Sequence, residues 1–343
     1  MKPDSVNETV VSQGVGYREV QRAVAIGLTD YDKVVLAVSG GRDSMVMLDA
    51  AAAVASGRVA AVATFDHGTG PAARSAADLV AERSEELRLR FFRGSANQGL
   101  RGEAAWREER WKYLREVAAT VHAAVATAHT RDDQMETVLI RVMRGSGARG
   151  LAGLYGSADV ARPLLGVGRA VVASYAEWRC LRWVQDRSNQ SRAHLRNRLR
   201  LDLIPALKAV KPDLGEELLD IARRAARLRS EVDKWIDDNV PIRYSGAELY
   251  VARGPLLGYD AECLALLWPA IVARAGVTLD RRGTCRLAEF TTSGRSGGRV
   301  QVSGGYEVVM HRAELRLRRL GTGYSARRRE NRSAGGAGNE VYL

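Results

Sequence analysis

The chain has 343 residues, 46% hydrophobic and 27% charged, enough for a sizeable core and two soluble domains. No apolar run reaches the ~18 residues of a bilayer span, the opening MKPDSVNETVVSQGVG is too polar for a signal peptide, and three scattered cysteines, Cys180, Cys263 and Cys285, argue against a disulfide framework, a zinc site or an iron–sulfur cluster. The net charge of +12 is uneven: residues 1–150 carry 20 basic and 19 acidic side chains, whereas 151–343 carry 32 and 21, which predicts a polyanionic partner, RNA or DNA first, for the second half.

In chain order, residues 1–16 are expected to be loosely ordered and Tyr17–Leu28 reads as a helix. Strand and helix signals then alternate: strand Lys33–Val38, helix Asp43–Ala55, strand Val59–Phe65, helix Ala73–Leu87, strand Leu89–Arg93, helix Glu103–Ala119, strand Ala123–Ala128, helix Arg131–Arg144. Apolar strands separated by helices of this length predict an α/β fold with a doubly wound parallel sheet. Leu164–Ala209 is arginine-rich and mostly helical, closing at Pro205 and Pro212, so the first domain is expected over 17–212. Helical spacing of Leu, Ile and Ala predicts a linking helix over 213–240. A second, smaller α+β domain is expected over 241–320, with a helix Ala261–Ala275 and a hairpin joining Val300–Val302 to Tyr306–Met310 through Ser303-Gly304-Gly305. Residues 321–343, rich in Gly, Arg and Ser, read as a disordered basic tail.

The first strand breaks into Ser39-Gly40-Gly41-Arg42-Asp43-Ser44 and a helix follows at once. Glycines let the backbone crowd an anion, and the free N–H groups and positive dipole end of the helix point at it. Ser39 and Ser44 add hydroxyls, and Asp43 places a carboxylate where a phosphate-bound metal would sit. The turn lacks the GxxxxGK[ST] pattern of the common P-loop. Ligands of such sheets bind beyond the carboxyl ends of the strands, and two more motifs fall there, Asp66-His67-Gly68 and Ala128-His129-Thr130.

The last of these opens AHTRDDQMET. Asp132, Asp133 and Glu136 lie in the first turns of its helix, where acids complement the dipole. Asp133, Glu136 and Thr137 share a face at i, i+3 and i+4. Arg144-Gly145-Ser146-Gly147 ends the helix in a basic, anion-friendly turn. Further on, Arg182, Arg187, Arg192, Arg196, Arg198 and Arg200 occur with a single acid, Asp186. That run fits phosphate contact with one or two arginines turned inward, or a solvated face in a chain with 46 arginines and 6 lysines.

SGGRDS resembles the SGGxDS loop of the N-type ATP pyrophosphatases. With FDHG, AHTRDDQMET, RGSG followed by GL, RPLL at Arg162–Leu165 and DRSN with RNRLR within Asp186–Arg200, in that order, the chain resembles the tRNA(Ile)-lysidine synthetase family. The resemblance is strong over residues 30–210 and weaker in the smaller domain. It implies the adenine nucleotide α-hydrolase-like PP-loop fold, ATP and Mg2+. It also implies a reaction in which the 2-carbonyl oxygen of the wobble cytidine of CAU-anticodon tRNA(Ile) is adenylated and free L-lysine displaces AMP. A cytoplasmic location follows, no membrane is implied, and a homodimer is compatible with the sequence.

By motif position, the resemblance assigns Ser39, Gly40, Gly41, Arg42, Asp43, Ser44, Arg144 and Gly145 to ATP, and Asp66 and His67 to the adenosine or cytidine side. It assigns His129, Asp132, Asp133 and Glu136 to the lysine and metal region, the metal ligands being Asp43 and Asp133. Arg196, with Asn197 and Arg200, closes over the reacting groups. Arg107, Arg110, Arg182, Arg192, Arg198 and Arg200 are the candidates for tRNA contact. Two departures stand out. The family's DHGLR-x-x-S run becomes Asp66-His67-Gly68-Thr69-Gly70-Pro71-Ala72-Ala73-Arg74-Ser75, which displaces the arginine. Trp106 and Trp111 flank the pair Arg107 and Arg110 in place of smaller or tyrosine residues. The competing readings are a tRNA 2-thiolation enzyme, which needs paired or clustered cysteines, and a catalytically inactive RNA-binding homologue, in which intact SGGRDS and DDQMET would not be expected.

Overall fold

The computed structural model describes residues 5–66, 68, 70–96, 102–156, 160–185 and 191–320. The chain forms two compact units, Met1–Ile140 with Gly153–Asp220, and Arg141–Ala152 with Ile221–Leu343.

The first unit runs α1 (Ser5–Gly27), β1 (Val34–Ala37), α2 (Arg42–Val54), β2 (Val59–Asp66), α3 (Pro71–Glu86), β3 (Phe91–Ser95), α4 (Glu103–Thr120), β4 (Ala124–Thr127) and α5 (Arg131–Met143). After the short helix α6 (Ala148–Leu151), which belongs to the second unit, come β5 (Val160–Ala161), α7 (Arg169–Trp178), α8 (Leu195–Arg198) and α9 (Ile204–Val210). The five strands are parallel in the order β3-β2-β1-β4-β5. Successive side chains of a strand face opposite sides, and both sides are buried here. Val34 and Leu36 join the core with α1, α2 and α7, while Val35 packs on the other face with Leu114, Val117 and Ala118 of α4. This is why β1 reads as a continuous apolar run.

Three differences from the sequence reading have local causes. The first helix begins at Ser5, well before Tyr17, because helical structure extends into polar residues that carry no apolar periodicity. The strand Val160–Ala161 has only two residues, paired with Val125 and Ala126, too short to leave a pattern. Pro205 does not close the arginine-rich segment; helix continues to Val210 through one wider π turn at Leu199–Leu203. Proline has no N–H to give to the preceding turn, and a widened turn is one way a helix passes it.

The second unit holds α6, α10 (Leu214–Asn239) from Ile221 onward, β6 (Ile242–Ser245), β7 (Glu248–Ala252), α11 (Ala261–Ala273), α12 (Arg281–Ser293), β8 (Arg299–Val302), β9 (Tyr306–Met310) and β10 (Glu314–Arg319). Its sheet is antiparallel in the order β6-β7-β10-β9-β8. Leu249, Val251, Leu315 and Leu317 pack beneath the sheet with Leu264, Trp268 and Leu287 of the two helices. Asp260 and Asp280 cap those helices by accepting from the Cys263 and Gly283 amides at 2.8 and 2.6 Å. The β8–β9 hairpin turns at Gly304 and Gly305, both at φ +77°. β6, β7, β10 and α12 lie outside the elements expected from the sequence, their apolar residues being few and interspersed with Arg, Tyr and Glu.

Candidate active site

The sheet order makes β1 and β4 neighbours while their following helices lie apart in sequence. That is the switch point of a doubly wound sheet, where a crevice opens beyond the strand ends. The Ser39–Ser44 turn leaves β1 there and His129–Glu136 leaves β4.

The turn is held by its own hydroxyls. Ser44 Oγ donates to the Gly41 carbonyl at 2.8 Å and accepts from the Ser39 amide at 3.2 Å. Gly40 sits at φ +79°, and a Cβ there would stand 2.7 Å from the Ala76 carbonyl oxygen. Only glycine fits this close approach of the turn to α3. Gly41 is the N-cap of α2 and, having no side chain, makes no side-chain cap bond to the amides at the helix start. Arg42 Nε donates to Asp43 Oδ1 at 3.1 Å.

At the end of β4, Thr130 caps α5. Its amide and hydroxyl both donate to Asp133 Oδ2 at 2.8 Å, a capping box with an aspartate as the third residue. The other oxygen, Asp133 Oδ1, accepts from Arg169 at 2.9 Å and Arg196 at 3.1 Å, with Arg200 at 3.5 Å. One turn on, Glu136 is 1% exposed and accepts from the same three side chains: Arg169 at 3.1 Å, Arg196 at 2.7 Å and Arg200 at 2.7 Å. Burial pushes both carboxyls up, but the guanidinium groups outweigh it and hold both below the ordinary carboxylate range. The pair is ionised at neutral pH.

His129 Nδ1 lies 2.9 Å from Thr127 Oγ1. Burial lowers its pKa to about 4; Asp133 opposes that effect, and Arg162, Arg196 and Arg107 reinforce it. The imidazole is therefore neutral at pH 7. Asp66 is buried at the end of β2, accepts from the Gly68 amide at 2.8 Å and lies 3.7 Å from Arg93. His67 lies outside the described residues, as do Asp186 and Arg187.

Asp132 turns away from its neighbours and accepts from the Arg169 backbone amide at 2.7 Å, capping α7 from another helix. The arginine-rich segment divides. Arg196 and Arg200, four residues apart, face the acid pair, and Asn197 donates to the Ser191 carbonyl at 2.8 Å. Arg182, Arg192 and Arg198 point outward, the first two onto Glu82 at 2.6 Å and Asp202 at 2.9 Å. Arg107 is exposed and Arg110 half-buried. Arg144 and Gly145 are exposed residues of the second unit, in which Arg149 ties α6 to Asp233 at 2.9 Å.

Sequence reasoning missed Arg169 and Thr127, and named Thr130 within a motif without its capping role. Thr130 was visible as a threonine three residues before an acid at a helix start. Arg169 gave only a weak signal, a glycine followed by an arginine at the head of a short apolar helix.

Residues 17–207 match the PP-loop domain family. The chain is 34% identical over 322 residues to a tRNA(Ile)-lysidine synthase of Salinispora tropica, covering 87% of this chain and 94% of that one. The chain belongs to the tRNA(Ile)-lysidine synthase family. A second member, from Thermobifida fusca, is 39% identical over 253 residues, which span 70% of this chain and 74% of that one. Among solved structures, the U34-tRNA thiolase NcsA from Methanococcus maripaludis superposes with a TM-score of 0.53 at 20% identity, over 63% of this chain and 79% of that one. At that identity the likeness concerns the fold alone.

Proposed function

We propose that this chain uses ATP to ligate free L-lysine to C2 of the wobble cytidine of CAU-anticodon tRNA(Ile), releasing AMP and pyrophosphate. The observation that carries the reading is the meeting, at one switch point, of an anion-ready turn and a buried, ionised acid pair, in a member of the lysidine synthase family. In the first step the cytidine O2 attacks the α-phosphorus and the bond to the bridging oxygen breaks, its electron pair leaving with pyrophosphate. The amides of the Ser39–Ser44 turn and the start of α2 receive the phosphates. Asp43 would hold magnesium, which would offset phosphate charge. Asp43 fits that role, with Oδ1 on Arg42, Oδ2 4.0 Å from Arg169 and a side chain 28% exposed. Asp133 fits it poorly, because three guanidinium groups crowd the oxygen that a cation would need.

In the second step the lysine ε-amine attacks C2, the C2–O bond breaks and AMP departs. The amine must arrive near a cation-selective group and lose a proton to become a nucleophile. Asp133 and Glu136 supply negative charge, His129, neutral at pH 7, can accept a hydrogen bond from the amine, and the proton passes to water. An arriving ammonium meets carboxylates already engaged by Arg169, Arg196 and Arg200, so it competes with them for the pair. Thiolation is not favoured: Cys180 is the single cysteine of the first unit, and Cys263 and Cys285 belong to the second.

The test is pyrophosphate release from ATP with CAU-anticodon tRNA(Ile), with and without lysine, followed by mass spectrometry of the wobble nucleoside. Lysine should appear on the cytidine. A sulfur-bearing or unmodified base after pyrophosphate release would overturn the reading.

A further inference from the structure

Arg169 stands where the two halves of the site meet, yet it belongs to none of the motifs that point to the site. Two bonds stitch the start of α7 to the start of α5. Asp132 Oδ2 accepts from the Arg169 amide at 2.7 Å, and the Arg131 amide donates to the Val167 carbonyl at 3.0 Å. Gly168, extended at φ −70° and ψ 145°, is the N-cap of α7 between these two bonds. The Arg169 side chain, 20% exposed, then reaches Asp133 and Glu136, while its Nε lies 4.0 Å from Asp43 Oδ2. Of the three arginines on the acid pair, it alone among the described residues also forms an ion pair with the phosphate turn.

Three guanidinium groups on two carboxylates leave one positive charge in excess. An incoming phosphate gains from that excess. Asp43 is the second residue of α2, so a phosphate seated on the uncapped start of that helix lies within a guanidinium's reach of Arg169. We propose that Arg169 is a catalytic residue of adenylation, binding the phosphates of ATP and receiving the charge that moves onto pyrophosphate as the bond from the α-phosphorus breaks. Asp132 is its positioning residue, fixing where α7 begins. Both roles rest on the ATP-splitting function proposed above.

The experiment uses the full chain with Arg169→Ala, Arg169→Lys, Asp132→Ala and Asp132→Asn. Calorimetric titration with α,β-methylene-ATP and magnesium reads nucleotide affinity without any tRNA. Pyrophosphate release with tRNA reads the step itself, and thermal melting reports folding. Arg169→Ala should bind the analogue about tenfold more weakly and release pyrophosphate on the order of 100-fold more slowly. Millimolar guanidinium ion should restore part of that rate, and Arg169→Lys should fall between Arg169→Ala and the wild type. Asp132→Ala should raise the KM for ATP several-fold (on the order of one lost charge-assisted bond), with Asp132→Asn, which keeps an acceptor, near the wild type. Folded Arg169→Ala that binds the analogue within about threefold of wild type, or a lost rate that guanidinium leaves unchanged, overturns the proposal. Should Arg169→Ala not fold, Arg169→Lys is judged by the same threshold. Wild-type protein that binds the analogue but releases no pyrophosphate with the tRNA would overturn the substrate reading alone, and the titration would still decide Arg169.

Discussion

In the first unit arginines turn inward onto carboxylates that water barely reaches. Glu136 takes three of them, and Asp49 on α2, 2% exposed, takes Arg83 at 2.8 Å and Arg179 at 2.9 Å with the Tyr175 hydroxyl at 2.8 Å. In the second unit they lie along the outer face of the antiparallel sheet, Arg243 on Glu314 at 2.9 Å and Arg316 on Glu248 at 2.7 Å, with Arg243 stacked 3.8 Å over the Tyr250 ring. The chemistry of the pairs is the same and the solvent is not. Removing one partner from a buried cluster leaves charges that nothing compensates, whereas an exposed pair is replaced by water at little cost. Arginine content therefore says little about stability until the partner's burial is known.

The sharpest test is Asp49→Ala, which leaves Arg83, Arg179 and Tyr175 without their shared acceptor. It should destabilise the first unit by about 3 kcal/mol, at the low end for a buried pair because both arginines are partly solvated. Chemical denaturation measures it, and a loss below about 1 kcal/mol would place this cluster with the surface pairs. Gly40→Ala follows at about 2 kcal/mol, from a strained φ and contact with Ala76, and should also weaken nucleotide binding.

Acid should affect the first unit first. The pKa of His129 is lowered to about 4, so between pH 6.5 and 4 the unfolded chain binds a proton there that the folded chain does not. Stability from this group is complete above pH 6.5 and falls as pH drops through that window. The lowered carboxyls Asp133 and Glu136 act in the same direction, their contribution being lost as pH falls through their folded values. Melting curves of wild type and His129→Gln over that range should diverge, the variant losing less. Parallel curves would mean that His129 titrates as an ordinary histidine.

The outer sheet should respond least. Arg243→Ala should cost no more than about 1 kcal/mol, read by the same denaturation assay; a larger loss would make its stack on Tyr250 part of the core. Arg192→Ala tests the outward arginines through RNA: the log–log salt slope of tRNA binding should flatten by about 0.7 to 0.9 with ATP affinity unchanged. An unchanged slope would take Arg192 out of the interface and leave its pair with Asp202 as surface chemistry.

Much of this was legible in residue order. Four of the five parallel strands, their helices, the glycine turn after β1 and the β8–β9 hairpin follow from local patterns, because apolar runs and glycine placement act within a few residues. The two-residue strand β5, the polar-faced strands β6, β7 and β10, and the wide turn before Pro205 were not, since each depends on a neighbour from elsewhere in the chain. The same holds in the site. Asp133 and Glu136 were visible as acids on one helix face, but nothing local says that Asp132 caps α7 or that Asp133 carries the arginines.

The sequence by itself determined the doubly wound parallel fold, the glycine turn after β1 and the residue types at the strand ends, because these depend on backbone freedom, periodicity and charge along a short stretch. Only the tertiary structure decided which arginines face the acids and which face water. A guanidinium chooses its partner across 33 residues for Arg169 and 60 for Arg196, and that choice is made by the packing of α5, α7 and α8 around a buried carboxylate.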